Sequence, residues 1–157
     1  MADSRSIVPF REAHLPALSA LLRATPEFTA EEAEVGIEVL QEALTDEGYL
    51  VLVAEADGEA VGYACFGLTP MTKAAFDLYW IAVSPAHKRH GLGRALADAT
   101  LADVAARGGR VLRVETEGGD AYAATRAFYE RLEFEVAGRI RAFYDVGRDL
   151  VVYVKYL

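Results

Sequence analysis

The chain has 157 residues, of which 53% are hydrophobic, so it has the size for one domain with a sizeable core and is not intrinsically disordered. Its formal net charge is −8 and its sequence pI about 4.9, a balance that argues against nonspecific nucleic-acid binding and against an anionic membrane surface. A cationic substrate is compatible with that charge, but ordinary solubility explains it equally well. The single cysteine, Cys65, excludes an internal disulfide and fits a reducing compartment. It lies in the apolar run VGYACFGL and reads as a small buried hydrophobe. Asp3, Arg5 and Arg11 interrupt any apolar run at the start, so no signal peptide is expected. No stretch approaches a membrane span, and the cytoplasm is the expected location.

In chain order, Ser6 to Phe10 reads as a short strand. A helix follows over about Leu15–Ala24, with Pro16 tolerated in its first turn and Leu15, Leu18, Leu21 and Leu22 at helical spacing. After the loop ATPEF, Thr29 opens TAEE, a capping box in which Glu32 reaches back to Thr29. That helix is expected to run to about Ala43 with Val35, Val39 and Leu40 on one face. LVLVAE (Leu50–Glu55) is a strand, Asp57-Gly58 a hairpin turn signal, Ala60–Gly67 the returning strand and Ala75–Val83 another. These three are expected to form an antiparallel meander.

The next helix spans about Leu92–Arg107 and stops at Gly108-Gly109. RVLRVE (Arg110–Glu115) is a strand, about Tyr122–Leu132 a helix, and two last strands lie near Phe134–Ile140 and Leu150–Tyr156, joined across Tyr144–Asp149. The strand-helix-strand crossover over residues 75–115 requires one parallel pair. The expected fold is α+β: a single domain over residues 1–157, with helices flanking a mixed, mostly antiparallel sheet.

HKRHGLGRAL (87–96) places Lys88, Arg89 and Arg94 at a helix start, where the helix dipole disfavours cations by about 0.3–1 kcal/mol each. Gly91 and Gly93 let an anion approach the backbone, and the first helical N–H groups have no partner inside the helix. A bound phosphate reverses the sign of the cations' interaction there. A tight turn with a solvated basic cluster is the plain alternative. A dinucleotide fingerprint would use Gly91, Gly93 and the acid Glu115, but Leu96 occupies the third glycine position, Ser84–His90 separates strand from glycines, and too little chain follows for the second half of such a sheet. The pair His87 and His90 has no cysteine or third histidine nearby to complete a metal site.

The segment IAVSPAHKRHGLG resembles the acyl-CoA motif of the GNAT N-acetyltransferase family, a strand followed by Arg or Gln, two residues, Gly, any residue, then Gly or Ala. ATRAFYERLEF (124–134) is similar to the family's helix ending in FYEKLGF, and RAFYDVGRDLVVYVKYL is similar to its close. The three segments stand in family order across nearly the whole chain. Departures are Lys88 in place of Arg or Gln, Glu133 in place of the turn glycine, Tyr122 in place of a common Asn, and a slightly longer lead through Glu117–Asp120.

The resemblance implies a GNAT-like fold with a splayed parallel strand pair and acetyl-CoA as cosubstrate. It implies that the backbone of Ile81, Ala82 and Val83 receives the pantetheine arm. Lys88, Arg89, His90, Gly91, Leu92, Gly93 and Arg94 would hold the pyrophosphate, with Tyr122 and Tyr129 also near the cofactor.

Acetyl transfer needs a deprotonated amine, a donor for the oxyanion and a proton for the departing thiolate. Glu115 is the candidate base, directly or through water, and Tyr129 the candidate acid. Ala121, Ala124, Phe128 and Leu132 are expected to face the core, with Tyr129 toward the edge of that face. Asp77 and Tyr79 form a polar face on their strand; Asp77 could hold the substrate ammonium or serve as the base. Phe28 and Tyr144 line an acceptor pocket or belong to the aromatic core. No metal is expected. The expected partners are acetyl-CoA and a primary amine, a small molecule slightly favoured over a peptide or protein, with no nucleic acid and no membrane, and a homodimer left open. The rival reading is a non-catalytic acyl-CoA-binding sensor or partner module.

Overall fold

A computed structural model describes residues 4–157. Its seven strands are β1 (Arg5–Pro9), β2 (Leu50–Ala56), β3 (Glu59–Leu68), β4 (Ala75–Val83), β5 (Val111–Glu117), β6 (Glu135–Asp145) and β7 (Arg148–Tyr156). The helices are α1 (Leu15–Ala24), α2 (Ala30–Ala43), α3 (Leu92–Ala106) and α4 (Ala123–Arg131). Strand order is β1-β2-β3-β4-β5-β7-β6, a mixed sheet in which β4 and β5 are parallel. Among the described residues no helix is long and apolar enough to cross a membrane. The chain divides into two compact units, one of residues up to Gly67 with Tyr79–Asp103, the other of Leu68–Leu78 with Val104–Leu157.

In the first unit β1 and β3 both pair antiparallel with β2. The hairpin between β2 and β3 turns on Asp57 (φ 52°) and Gly58 (φ 83°), the two left-handed residues that a two-residue turn requires. Thr29 and Glu32 cap α2 reciprocally: the Thr29 hydroxyl accepts from the Glu32 amide at 3.1 Å, and the Glu32 carboxylate accepts from the Thr29 amide at 2.9 Å. The core joins Leu18 and Leu22 of α1, Ala33, Ile37 and Leu40 of α2, Val51 and Val53 of β2, and Tyr63 and Cys65 of β3. The buried stripe of α2 is thus Ala33, Gly36, Ile37 and Leu40; Val35, expected on that face, is 48% exposed. Gly36 sets the phase, because a Cβ there would lie 3.1 Å from Leu22 Cδ1, and α1 closes against that bare position.

In the second unit the parallel register runs from Ala75↔Val111 to Leu78↔Val114. β7 pairs antiparallel with both β5 and β6. Three elements extend past their expected ends. β5 continues two residues beyond Glu115, because Thr116 and Glu117 still pair with Val151 and Leu150. β6 runs to Asp145, so the link to β7 is the short turn Val146-Gly147 and Tyr144 lies on the strand. β7 begins at Arg148 for the same reason. The extra length of β6 is taken up by an irregularity between Ile140 and Asp145, where Ala142 adopts φ 55°. The Asp149 carboxylate fills the resulting gap, accepting from the Ala142 amide at 2.9 Å and from Arg139 Nε at 2.8 Å.

The expected core face of α4 is also corrected. Ala121 and Ala124 are exposed, while Tyr129 is the buried residue of the helix. A 3-10 turn over Asp120–Tyr122 precedes α4, so Ala121 does not share its phase. The Tyr129 ring packs against Phe128, Phe134 and Tyr153, with centroids 5.4, 5.5 and 5.9 Å away. Glu133 takes the left-handed conformation at φ 64° despite its side chain. The Phe134 amide donates to the Tyr129 carbonyl and the Glu133 amide to the Glu130 carbonyl, each at 3.0 Å, which is the Schellman termination.

Candidate active site

In the first unit β4 leads into the glycine loop. The Ser84 amide donates to the Val61 carbonyl at 2.7 Å, and the Ser84 carbonyl accepts from the His87 amide at 2.8 Å, closing a 3-10 turn over Pro85–His87. Gly62 lets β3 lie against the end of β4: a Cβ there would come within 2.8 Å of the Ala82 carbonyl oxygen and 3.3 Å of Val83. Ile81, Ala82 and Val83 are all half-buried.

The loop then takes two left-handed residues, Arg89 (φ 68°) and Gly91 (φ 76°), before α3 begins at Leu92. Ala95 makes the first helical bond, donating to the Gly91 carbonyl at 2.9 Å. The amides of Leu92, Gly93 and Arg94 therefore precede the ladder and point off the positive end of α3. A Cβ at Gly91 would meet no atom within 4 Å, so the space over the loop is open. The Arg5 guanidinium donates to the His90 carbonyl at 3.2 Å and steadies the loop. The exposed Lys88 ammonium lies 4.0 Å from Glu27, and Arg94 lies 3.8 Å from Asp98. These are loose contacts that leave the cations displaceable toward an anion. The arrangement fits a diphosphate: open space, convergent amides and nearby cations. Among the described residues no group of His, Cys, Asp and Glu side chains could hold a metal ion.

The same unit holds Tyr79 and Phe28. Tyr79 is exposed on β4 with its ring edge-on to Tyr49, and Phe28 packs half-buried against the core. Burial pushes the Cys65 thiol up to about 12, so it carries no thiolate nucleophile at neutral pH.

In the second unit Asp77 faces Arg113 directly across the parallel pair. Its two oxygens accept from Arg113 Nε at 2.7 Å and from the Thr69 hydroxyl at 2.8 Å. Both are engaged, and Asp77 reads as a brace. Glu115 stands exposed in mid-strand opposite Val152, not at a strand end. Glu117 on the same strand is buried, and its two oxygens accept from Arg148 at 2.8 Å each. Arg126 of α4 donates to the Glu117 and Gly119 carbonyls at 2.7 Å, tying the end of β5 to the helix.

Sequence reasoning missed Glu117 and Arg148. The signal was present in the alternation Arg113, Glu115, Glu117, had the strand been extended by two residues. Tyr122 is half-buried at the end of the 3-10 turn. Tyr144 is exposed, with its ring against Phe143 and Arg148 above it at 6.0 Å. The Tyr129 hydroxyl makes no hydrogen bond within the described residues, and burial raises its pKa well above the ordinary phenol range, so it remains protonated.

Residues 15–134 match the acetyltransferase (GNAT) family. The chain belongs to this family. A GNAT-family protein from Desulfovibrio desulfuricans superposes with a TM-score of 0.94 at 38% identity, covering 98% of this chain and 99% of its own. The ribosomal-protein-alanine N-acetyltransferase of Brucella melitensis superposes at 0.78 with 28% identity over 97% and 99% of the two chains. A curated relative, the Escherichia coli K12 N-acetyltransferase that acts on an alanine of ribosomal protein bS18, is 36% identical over 88 residues. That match covers 55% of this GNAT chain and only 58% of the relative's length. The fold is shared, at 20% identity and a TM-score of 0.78, by an aminoglycoside 6'-N-acetyltransferase solved with coenzyme A.

Proposed function

We propose that the whole chain is one N-acetyltransferase domain that moves an acetyl group from acetyl-CoA to a primary amine by direct attack in a ternary complex. The observation that carries this reading is the loop before α3. Gly91 is left-handed with open space above it, and the next three amides are free of the helical ladder. Family membership and relatives that acetylate amines support it. The loop amides with Lys88, Arg89 and Arg94 would hold the diphosphate of the cosubstrate, and the backbone of Ile81–Val83 its pantetheine arm. The cosubstrate supplies the activated acetyl group.

The amine must lose a proton before it attacks, since alkylammonium groups have pKa values near 10.4. We assign the base to Glu115, whose exposed carboxylate contrasts with the engaged Asp77. Tyr129 donates to the departing sulfur; its phenol is protonated and has no hydrogen-bond partner among the described residues to compete. The inert Cys65 supports direct attack over an acetyl-enzyme. Tyr79, Phe28 and Tyr144 are assigned to the acceptor side. The net charge of −8 favours a cationic small molecule over a protein acceptor. We further propose a cytoplasmic protein without nucleic-acid or membrane partners.

The rival, a non-catalytic acyl-CoA module, predicts cosubstrate binding without turnover. Calorimetry with coenzyme A and free-thiol release from acetyl-CoA across an amine panel test both steps. Absence of binding to the folded protein refutes the acyl-CoA reading, and binding without thiol release across the panel favours the module. Gly93→Glu, which puts a carboxylate among the diphosphate's donors, is expected to abolish binding; unchanged affinity would remove that assignment.

A further inference from the structure

The end of β5 and the glycines after it are held from two sides. The Gly118 amide donates to the Asp149 carbonyl at 3.0 Å, and a Cβ on Gly118 would lie 2.5 Å from Arg139 Nη2 and 3.3 Å from Asp149 Cβ, so the chain runs close along β7. From the other side the half-buried Arg126 uses one nitrogen, Nη1, to donate to the Glu117 and Gly119 carbonyls at 2.7 Å each. Arg126 is the fourth residue of α4, in its first turn, where the helix dipole disfavours a cation. The two carbonyls give the cation its reason, since charge-assisted hydrogen bonds are the stronger kind. Tyr122, which precedes the helix, makes no side-chain cap bond. Arg126 supplies the hold on the helix start that a capping side chain would otherwise give.

The far end of α4 is fixed by β7. The Tyr153 hydroxyl donates to Glu130 Oε1 at 3.1 Å, and Lys155 Nζ donates to the Leu132 carbonyl at 2.7 Å. Two of the rings packed on Tyr129, those of Phe134 and Tyr153, belong to this end as well. Tyr129 stands between the two anchorages, three residues after Arg126 and so about one turn along the helix. Its ring is seated by the far contacts. The direction of its hydroxyl depends in addition on the helix axis, which the near anchorage sets. With that anchorage released, the helix can pivot on its far end without unseating the ring. A displacement of about 1 Å at a reacting group is enough to cost about 100-fold in rate.

We infer that Arg126 is a positioning residue for acetyl transfer: by bonding the carbonyls on either side of Gly118 it fixes the start of α4, and with it the line along which the Tyr129 hydroxyl meets the departing sulfur. It acts through Tyr129. The inference rests on the acetyl-transfer reading above and adds a residue to it.

The test follows thiol release from acetyl-CoA with the most active amine of the panel. Arg126→Met keeps most of the stem and removes the donors. It is expected to lower kcat by about 10- to 100-fold while KM for acetyl-CoA stays within about three-fold of wild type. Arg126→Lys, whose ammonium can serve both carbonyls, is expected to recover most of the loss. The deciding measurement is the double-mutant cycle with Tyr129→Phe, in which Arg126→Met is expected to cost less than about three-fold further. Wild-type kcat in the methionine variant overturns the proposal. A full additional loss in the Tyr129→Phe background, the outcome of a merely structural role, overturns it too. Arg126→Gln, with a shorter and uncharged donor, is expected to fall between the other two variants and takes the place of Arg126→Met in the cycle should that protein not fold. A second measurement needs no turnover. In protein labelled with carbon-13 tyrosine, the Tyr129 ring resonances are expected to move in Arg126→Met and to return in Arg126→Lys; unmoved resonances overturn the proposal. Should wild type release no thiol with any amine, the acetyl-transfer reading falls, and the ring resonances still decide whether Arg126 sets Tyr129.

Discussion

Arg148 grips Glu117 with two nitrogens, Nε and a terminal one, each donating at 2.8 Å to a different carboxylate oxygen. The Glu117 side chain is only 10% exposed, whereas Arg148 is 49% exposed. Removing the arginine therefore leaves a shielded carboxylate without its main donors. Arg148→Met is expected to cost about 1–3 kcal/mol. Glu117→Gln is expected to cost less, because an amide still accepts one of the two bonds. Urea denaturation of the two variants checks the order; equal midpoints to wild type would show the pair to be energetically idle.

Tyr129 separates a chemical role from a structural one. Its ring is packed among Phe128, Phe134 and Tyr153, while its hydroxyl has no hydrogen-bond partner in the described protein. Tyr129→Phe is expected to leave the melting temperature unchanged or slightly raised and to lower kcat by about 100-fold or more, with coenzyme A affinity retained. Equal turnover would reduce Tyr129 to packing.

Glu133 sits at φ 64°, where a side chain is strained. The Schellman bonds around it form regardless, and Phe134 meets Tyr129 as the accompanying apolar contact. Glu133→Gly removes the strain at some cost in unfolded-state entropy, for a net stabilisation of about 0.5–1 kcal/mol. Thermal melts resolve a gain of that size. A loss would mean that the 3.8 Å contact between Glu133 and Lys155 outweighs the strain.

The Tyr63 hydroxyl is buried without a hydrogen-bond partner among the described residues, in a residue only 1% exposed, and burial drives its pKa far upward. Leaving such a group dry costs about 1–3 kcal/mol. Tyr63→Phe is expected to stabilise the protein, the reverse of most core substitutions, and chemical denaturation reads the sign directly.

Asp149 has its pKa lowered by the Ala142 amide and then by Arg139. A depressed carboxylate contributes stability that is present above its unfolded pKa and disappears as pH falls through the folded value. The β6–β7 hairpin is thus expected to loosen below about pH 4. Hydrogen exchange at the Ala142 amide should accelerate relative to its neighbours as that range is entered. In Asp149→Asn the step should vanish.

Most of the fold was legible because its signals are local. The TAEE cap, the Asp57-Gly58 turn and the apolar runs of β2 and β4 each define an element without reference to the rest. The glycine loop was legible for the same reason, since two glycines and three cations at a helix start have few physical explanations. What escaped depends on partners distant in sequence. Asp77 looked like a free acid on a polar strand face until Arg113, 36 residues on, was placed beside it. Val35 looked buried because it shares a helix face with Val39 and Leu40, but the bare Gly36 rotates the contact face of α2 toward Leu22. Gly67 meeting the Gly48 carbonyl, and Tyr49 meeting Tyr79 edge to face, are contacts that no spacing rule announces.

β6 ends the strand order, so one of its edges has no neighbouring strand among the described residues, and it carries the exposed apolar residues Val136, Ile140 and Phe143. Such a strand is ordinarily a nucleus for runaway self-association. Here its register breaks twice, at Val136/Gly138 and again between Ile140 and Asp145, leaving no straight run on which an incoming chain could propagate. Straightening the strand, rather than enlarging its greasy side chains, is the change that would turn this protein toward fibrils.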